Sequence, residues 1–253
     1  MDLGLKGLKA VVTGGTKGIG RAIARTLAAE GAHVALCARN ADEVAMTALE
    51  FSALGVKVFG GVTDVADGPG LAAFVSAAAE ALGGIDIVVA NVSALAVAGD
   101  EAAWHSGFAV DMMGTVRLVN AAMPHLERSA HGAIVTISSV SGREIDFAAG
   151  PYGAFKAAII HYTHGLACQL AGKRIRANSV SPGNTYFPGG VWEQIEQGNP
   201  EFFKQALALN PTGRMGTPQE MANAAVFLAS PAASFITGTN LLVDGALTKG
   251  VQF

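Results

Sequence analysis

LKAVVTGGTKGIGRAIARTLAAE, residues 8–30, is the stretch that decides the fold. Leu8 to Thr13 is a short apolar run of strand length, and the residues from Gly18 to Glu30 read as a helix. Between them, glycines at 14, 18 and 20 let backbone approach a pyrophosphate at a helix N-terminus. Free amides and the helix dipole favour an anion there. The TGxxxGIG spacing differs from the GxGxxG dinucleotide fingerprint but uses the same physics.

The alternation continues along the chain. Six more strands are expected at 33–38, 56–60, 85–90, 133–138, 174–180 and 239–243. Helices are expected near 41–54, 70–82, 101–128, 151–171 and 218–229. This order predicts an α/β fold, a doubly wound parallel sheet of seven strands flanked by helices, with its ligand crevice at the C-terminal strand ends. With 253 residues in continuous alternation, the chain reads as a single domain, 1–253. The segment from Gly183 to Met215 breaks the regularity, being rich in Pro, Gly and aromatics (Tyr186, Phe187, Trp192, Phe202, Phe203). It reads as a substrate lid at about 184–215 rather than a linker, since no second domain follows it.

Composition narrows the class. The chain is 51% hydrophobic and 15% charged, enough to bury a parallel sheet on both faces. A net charge of −3 gives no electrostatic case for nucleic acid. The tightest basic group, Lys173, Arg174 and Arg176, reads as a solvated turn before a strand. Two cysteines, Cys37 and Cys168, make no disulfide framework, so a reducing cytoplasmic location is expected. No apolar run reaches the roughly 18 residues a membrane span needs, so no membrane partner is expected.

A second motif carries chemistry. In SSVSGREIDFAAGPYGAFK, residues 138–156, Ser139 stands thirteen residues before Tyr152, and Tyr152 four before Lys156. On a helix from about Pro151, Tyr152 and Lys156 share a face, so the ammonium favours the phenolate and makes the tyrosine a usable general acid or base. Ser139, at the end of an apolar strand, is placed to donate a hydrogen bond to a substrate oxygen as charge develops there.

With these motifs in this order, the chain resembles the short-chain dehydrogenase/reductase family, and more narrowly its NADP-preferring, 3-oxoacyl reductase-like members. The likeness covers essentially the whole chain, through Asp64-Val65, Asn178-Ser-Val-Ser-Pro-Gly183, Gly238 and Val243-Asp-Gly245. It implies a Rossmann-like domain, a nicotinamide cofactor, a Ser139–Tyr152–Lys156 mechanism and a homotetramer built on the two long helices and the last strand. The tail from Leu247 to Phe253 is a candidate for reaching a neighbouring subunit. For the cofactor, the resemblance implies contacts from Gly14, Thr16, Lys17, Gly18, Ile19, Gly20, Asp64, Val65, Asn91, Tyr152, Lys156, Pro182, Gly183 and the backbone at Thr185. NAD-dependent relatives carry an acid where this chain has Ala38. Lys17 and Arg39 offer two cations to a 2′-phosphate, which predicts NADP(H). The bland alternative is that both are ordinary surface charges.

The chain also departs from the family. Its NNAG segment is Ala90-Asn-Val-Ser93, and Asp111 stands where the family has an asparagine in a helix kink that reaches the catalytic lysine through a water. An ionised Asp111 would stabilise the ammonium of Lys156 while opposing the phenolate; a protonated one would imitate the amide. Arg143 either clamps an anionic substrate or is neutralised by Glu144 and Asp146, the latter being favoured. His161 and His164 read as surface or subunit-contact residues, with no metal site, and Cys168 as buried packing. Trp192, Phe202 and Phe203 either enclose an apolar substrate or pack the lid. The activity expected is interconversion of a ketone and a secondary alcohol. A catabolic NAD(P)-dependent alcohol dehydrogenase and a non-catalytic dinucleotide-binding scaffold stay open as alternatives.

Overall fold

The computed structural model describes residues 1–251. Its seven strands are β1 (Lys9–Thr13), β2 (His33–Ala38), β3 (Val58–Val62), β4 (Ile87–Ala90), β5 (Ala133–Ile137), β6 (Arg176–Pro182) and β7 (Asn240–Val243). They form one parallel sheet in the order β3-β2-β1-β4-β5-β6-β7. The order reverses between β1 and β4, which places the ligand crevice beyond the C-terminal ends of those two strands.

Side chains alternate across the sheet, so each central strand feeds two cores. Ala10, Val12, Leu36, Val89 and Val135 face α1 (Gly18–Ala29), α2 (Ala41–Ser52) and α9 (Pro218–Ala229), where they meet Ile23, Leu27, Phe51 and Val226. Val11, Ala35, Val88 and Ile134 face α3 (Gly68–Leu82), α5 (Met113–Leu126) and α6 (Pro151–Leu170), where they meet Leu71, Phe74, Leu118 and Leu166. Burial on both faces is why these strands read as unbroken apolar runs.

Three departures from the expected elements have physical causes. β3 lies two residues later than expected because Gly60 and Gly61 belong inside it. A Cβ at Gly60 would meet Val44 at 2.7 Å and one at Gly61 would meet Phe74 at 2.3 Å, so these glycines serve packing rather than ending the strand. The helix expected over 101–128 is divided into α4 (Glu101–Gly107), a π-turn (Phe108–Met112) and α5. The segment read only as a lid contains α7 (Val191–Gly198) and α8 (Pro200–Ala208); Asn199 caps α8 by accepting from Phe202 N, with Pro200 opening the helix.

The basic group before β6 is only partly a solvated turn. Lys173 pairs with Glu127 at 2.6 Å, and Arg174 is a left-handed turn residue. Arg176 instead reaches inward and donates to the carbonyls of Leu228, Ala229, Ser230 and Ile236, tying the C-terminal end of α9 to the sheet. Cys168 is exposed rather than packed, since its position on α6 faces away from the core; burial pushes the Cys37 thiol up to about 12. The tail folds back on its own chain: the amides of Lys249 and Gly250 both donate to Glu144 Oε1 at 3.1 Å. Gln252 and Phe253 lie outside the described residues. Among the described residues, no helix is long and apolar enough to cross a membrane. Replacing Arg176 by Met should leave several α9 carbonyls unpaired and cost about 2 kcal/mol, a fall in Tm of about 4–8 °C. An unchanged melting curve would remove the tie.

Candidate active site

The glycine turn is built for close approach. Gly14 and Gly18 have left-handed backbone, with φ of 68° and 51°, and the amides of Gly14 and Gly15 donate to the Cys37 carbonyl at 2.9 and 3.2 Å. A Cβ at Gly20 would meet the Gly14 carbonyl at 2.2 Å and Asn91 Nδ2 at 2.3 Å. Asn91, just past β4, donates that amide to the carbonyls of Thr13 and Gly14 and so braces the turn from beneath. α1 begins after Lys17 with no side-chain cap, leaving its first-turn amides open to an anion.

Around this turn the remaining expected cofactor residues are arrayed along the strand ends. Ile19 packs on the core beneath α1, and Val65 is buried against Gly114. Asp64 accepts from Ala66 N, which fixes the turn after β3. Pro182 closes β6, and a Cβ at Gly183 would meet Asp244 at 2.8 Å. Thr185 Oγ1 donates to the Gly183 carbonyl at 3.0 Å. Thr16 Oγ1 donates to Glu43 Oε2 at 3.2 Å, and Lys17 Nζ pairs with Glu43 Oε1 at 2.6 Å. Arg39 is exposed just past the end of β2. Two free cations therefore do not simply converge: an acid from α2 already holds one of them. Its sequence signal was available but ambiguous, because Asn40-Ala-Asp-Glu43 reads as a helix cap.

The second half of the site is assembled by the ends of β4 and β5 and by α6. Ser139 caps a short turn (Val140–Gly142), accepting from Ser141 N at 3.1 Å and donating to Ser141 Oγ at 3.2 Å. Ser141 in turn donates to Asp146 Oδ2 at 2.6 Å. A Cβ on Gly142 would strike the α6 backbone at Lys156 and Ala157, within 2.8 Å, so that glycine lets the serine turn press against the helix. Tyr152 enters in the first turn of α6, its amide bonded to the Ala96 carbonyl. Lys156 Nζ lies 5.5 Å from the centre of the Tyr152 ring and donates to the Ile137 carbonyl at 3.0 Å. The other two tyrosines are ill suited to proton transfer near neutrality. Burial pushes Tyr162 up, and Tyr186 is pushed up to about 12 by donating to Glu196.

Asp111 stands in the π-turn with its carboxylate against the same lysine. Oδ1 is 3.2 Å from Lys156 Nζ, and each side chain is only 2% exposed. Oδ1 lies off the line of a well-aligned hydrogen bond, so this is a charge contact rather than a geometric one. Oδ2 accepts from Ala94 N at 2.9 Å. The carboxylate thus reaches the ammonium directly, where the family pattern implied a water between them.

The substrate side differs from expectation at Arg143. Neither acid neutralises it, because Glu144 accepts from the tail amides and Asp146 from Ser141 and the Ala148 amide. The aromatics of α7 and α8 form one cluster with Phe147 of the loop after Ser139. Phe147 meets Trp192 and Phe202 edge-on at 5.6 and 5.5 Å, and Tyr186 meets Phe203 at 6.0 Å. Phe187 lies over the glycine turn, with its ring tip 2.5 Å from where a Gly18 Cβ would be. His164 Nδ1 is 2.8 Å from the Gly238 carbonyl, which occupies it structurally.

Comparisons with known proteins bear on the family and the fold. Residues 14–248 match the family model described as enoyl-(acyl carrier protein) reductase. Isoepoxydon dehydrogenase of Penicillium expansum is 42% identical over 260 residues, covering 100% of this chain and 99% of its own. The chain belongs to the short-chain dehydrogenase/reductase family. Among solved structures of that family, a 7α-hydroxysteroid dehydrogenase complexed with NADH and 7-oxo glycochenodeoxycholic acid matches with a TM-score of 0.90 at 31% identity, covering 97% of this chain and 96% of that one. L-Sorbose reductase from Gluconobacter frateurii, complexed with NADPH and L-sorbose, also matches at 0.90, with 30% identity and coverage of 99% and 100%.

The residues present fit a nicotinamide dinucleotide. The crowded Gly20, the uncapped start of α1 and the left-handed Gly14 and Gly18 together make a cradle in which side chains would displace the turn. Gly20→Ala should weaken NADPH and NADH binding alike, by at least about tenfold, as the added methyl pushes Gly14 and Asn91 apart. Parallel fluorescence titrations check this, and retained affinity for both would refute the crowding argument.

Proposed function

We propose that this protein is an NADP(H)-dependent oxidoreductase that interconverts a ketone and a secondary alcohol through Ser139, Tyr152 and Lys156, with Asp111 as positioning residue. The observation that carries the reading is the Lys156 ammonium set against the Tyr152 ring while held by the Ile137 carbonyl and Asp111. The family's substrate-bound relatives, a steroid dehydrogenase and a sugar reductase, support alcohol and ketone chemistry. Isoepoxydon, named in the curated relative, is the first substrate to try.

A nicotinamide dinucleotide, when held at the strand ends, would supply or accept the hydride. Ser139 releases its proton from Ser141 to hydrogen-bond the substrate oxygen, lowering the cost of negative charge there. In the reductive direction Tyr152 gives its proton to that oxygen; in the oxidative direction the phenolate takes it. Lys156 supplies positive charge beside the phenol; it donates to the Ile137 carbonyl and has Asp111 as its charge partner, which leaves donors for the cofactor ribose. The residues named above for the dinucleotide would hold it along the strand ends, Lys17 and Arg39 serving a 2′-phosphate and Pro182, Gly183 and Thr185 the nicotinamide. The lid helices α7 and α8, joined to Phe147 by ring contacts, keep water from the reacting atoms.

Two variants test this. Tyr152→Phe should lower kcat by about 10²- to 10⁴-fold with cofactor affinity kept; full activity would end the proposal. Asp111→Asn removes a negative charge that opposes the phenolate, so the acid limb of the alcohol-oxidation profile should move to lower pH. Superimposable profiles would show that Asp111 has no electrostatic role.

A further inference from the structure

The charge pair on the glycine turn bears on cofactor choice. Glu43 is the third residue of α2, and Asn40 caps that helix by accepting from Glu43 N. An acid at this position commonly turns back to the cap amide, completing a reciprocal box. That arrangement exists in this chain at Thr217 and Glu220. Glu43 does otherwise: its two oxygens cross from α2 to Lys17 Nζ and Thr16 Oγ1 on the glycine turn. The carboxyl is held below its ordinary value, chiefly by the hydrogen bond from Lys17, so it is an anion at neutral pH. An anion thus already takes the ammonium and the hydroxyl that a phosphate on the adenosine ribose would use.

We infer that Glu43 is an internal competitor for the 2′-phosphate and sets how strongly this enzyme prefers NADPH over NADH. The inference rests on the NADP(H) reading above and deepens it. To bind NADPH, the phosphate takes Lys17 from Glu43 and meets the carboxylate's negative charge; NADH, with a free hydroxyl, does neither. Lys17 is 69% exposed on its side chain, so the pair is readily exchanged rather than fixed. Arg39, outside this pair, is the cation that remains for the phosphate.

The test is fluorescence titration of the whole protein with NADPH and NADH at fixed ionic strength, for wild type, Glu43→Gln, Lys17→Ala and the double variant. Glu43→Gln should tighten NADPH about five- to tenfold and leave NADH within about twofold, with the gain reduced when Lys17 is absent. Equal changes for both cofactors, or none, would overturn the inference. So would weaker NADH binding, which would make Glu43 a ribose ligand instead. The parent reading fails separately, on wild type alone: preference for NADH there contradicts NADP(H) selection, while tighter NADPH binding in Glu43→Gln would still identify the competitor. A melting curve on each variant separates a loss of folding from a change in binding.

Discussion

A buried ammonium cannot stand alone, and the half of the candidate site around Lys156 is arranged around that constraint. Lys156 and Asp111 are each 2% exposed, and removing charges from water costs several kcal/mol per ion unless they are paired and hydrogen-bonded. The partners come from four places in the chain. Ile137 at the end of β5 accepts from the lysine, Ala94 after β4 donates to Asp111, the π-turn supplies Asp111 itself, and α6 supplies Lys156. The two charges meet only when the strand ends, the turn and the helix are in register. That register also sets Tyr152 beside the ammonium and presses the Ser139 turn onto α6.

The dinucleotide half follows the opposite logic. Its charges, Lys17, Glu43 and Arg39, lie at the rim in water, where ion pairs are worth about 0–1 kcal/mol and exchange readily. Its rigidity comes from backbone: glycines with left-handed φ, the amides of Gly14 and Gly15 on Cys37, and the Asn91 brace. A rim of exchangeable charge over a stiff turn suits a ligand that must enter and leave. A buried permanent pair suits chemistry that must be the same at every turnover.

Much of this was legible in the sequence because it rests on local patterns. β2 and α9 fall on the expected residues, since apolar runs bounded by polar ones have no competing reading. β3 was displaced by two because glycines in a strand look like its end, and only the fold reveals Val44 and Phe74 above them. The division of the helix over 101–128 was beyond a periodicity argument, since the apolar pattern runs on through the π-turn, and Gly107 before it reads as an ordinary small residue inside a helix. Ser139, Tyr152 and Lys156 were legible from spacing, and Asp111 from its place in the family pattern. Glu43 was hidden because its sequence context fits a helix cap, and its actual partners are 26 and 27 residues away in the chain. The two acids beside Arg143 misled for the same reason: adjacency in sequence is not pairing in space.

The most direct test of the account is a double-mutant cycle on thermal and denaturant unfolding with Lys156→Met, Asp111→Asn and the pair together. If the buried ion pair organises the site, Lys156→Met alone should cost about 3–5 kcal/mol by stranding the carboxylate, and adding Asp111→Asn should recover much of that loss. Losses that simply add would mean the two charges are independent, and the site is held together by something else.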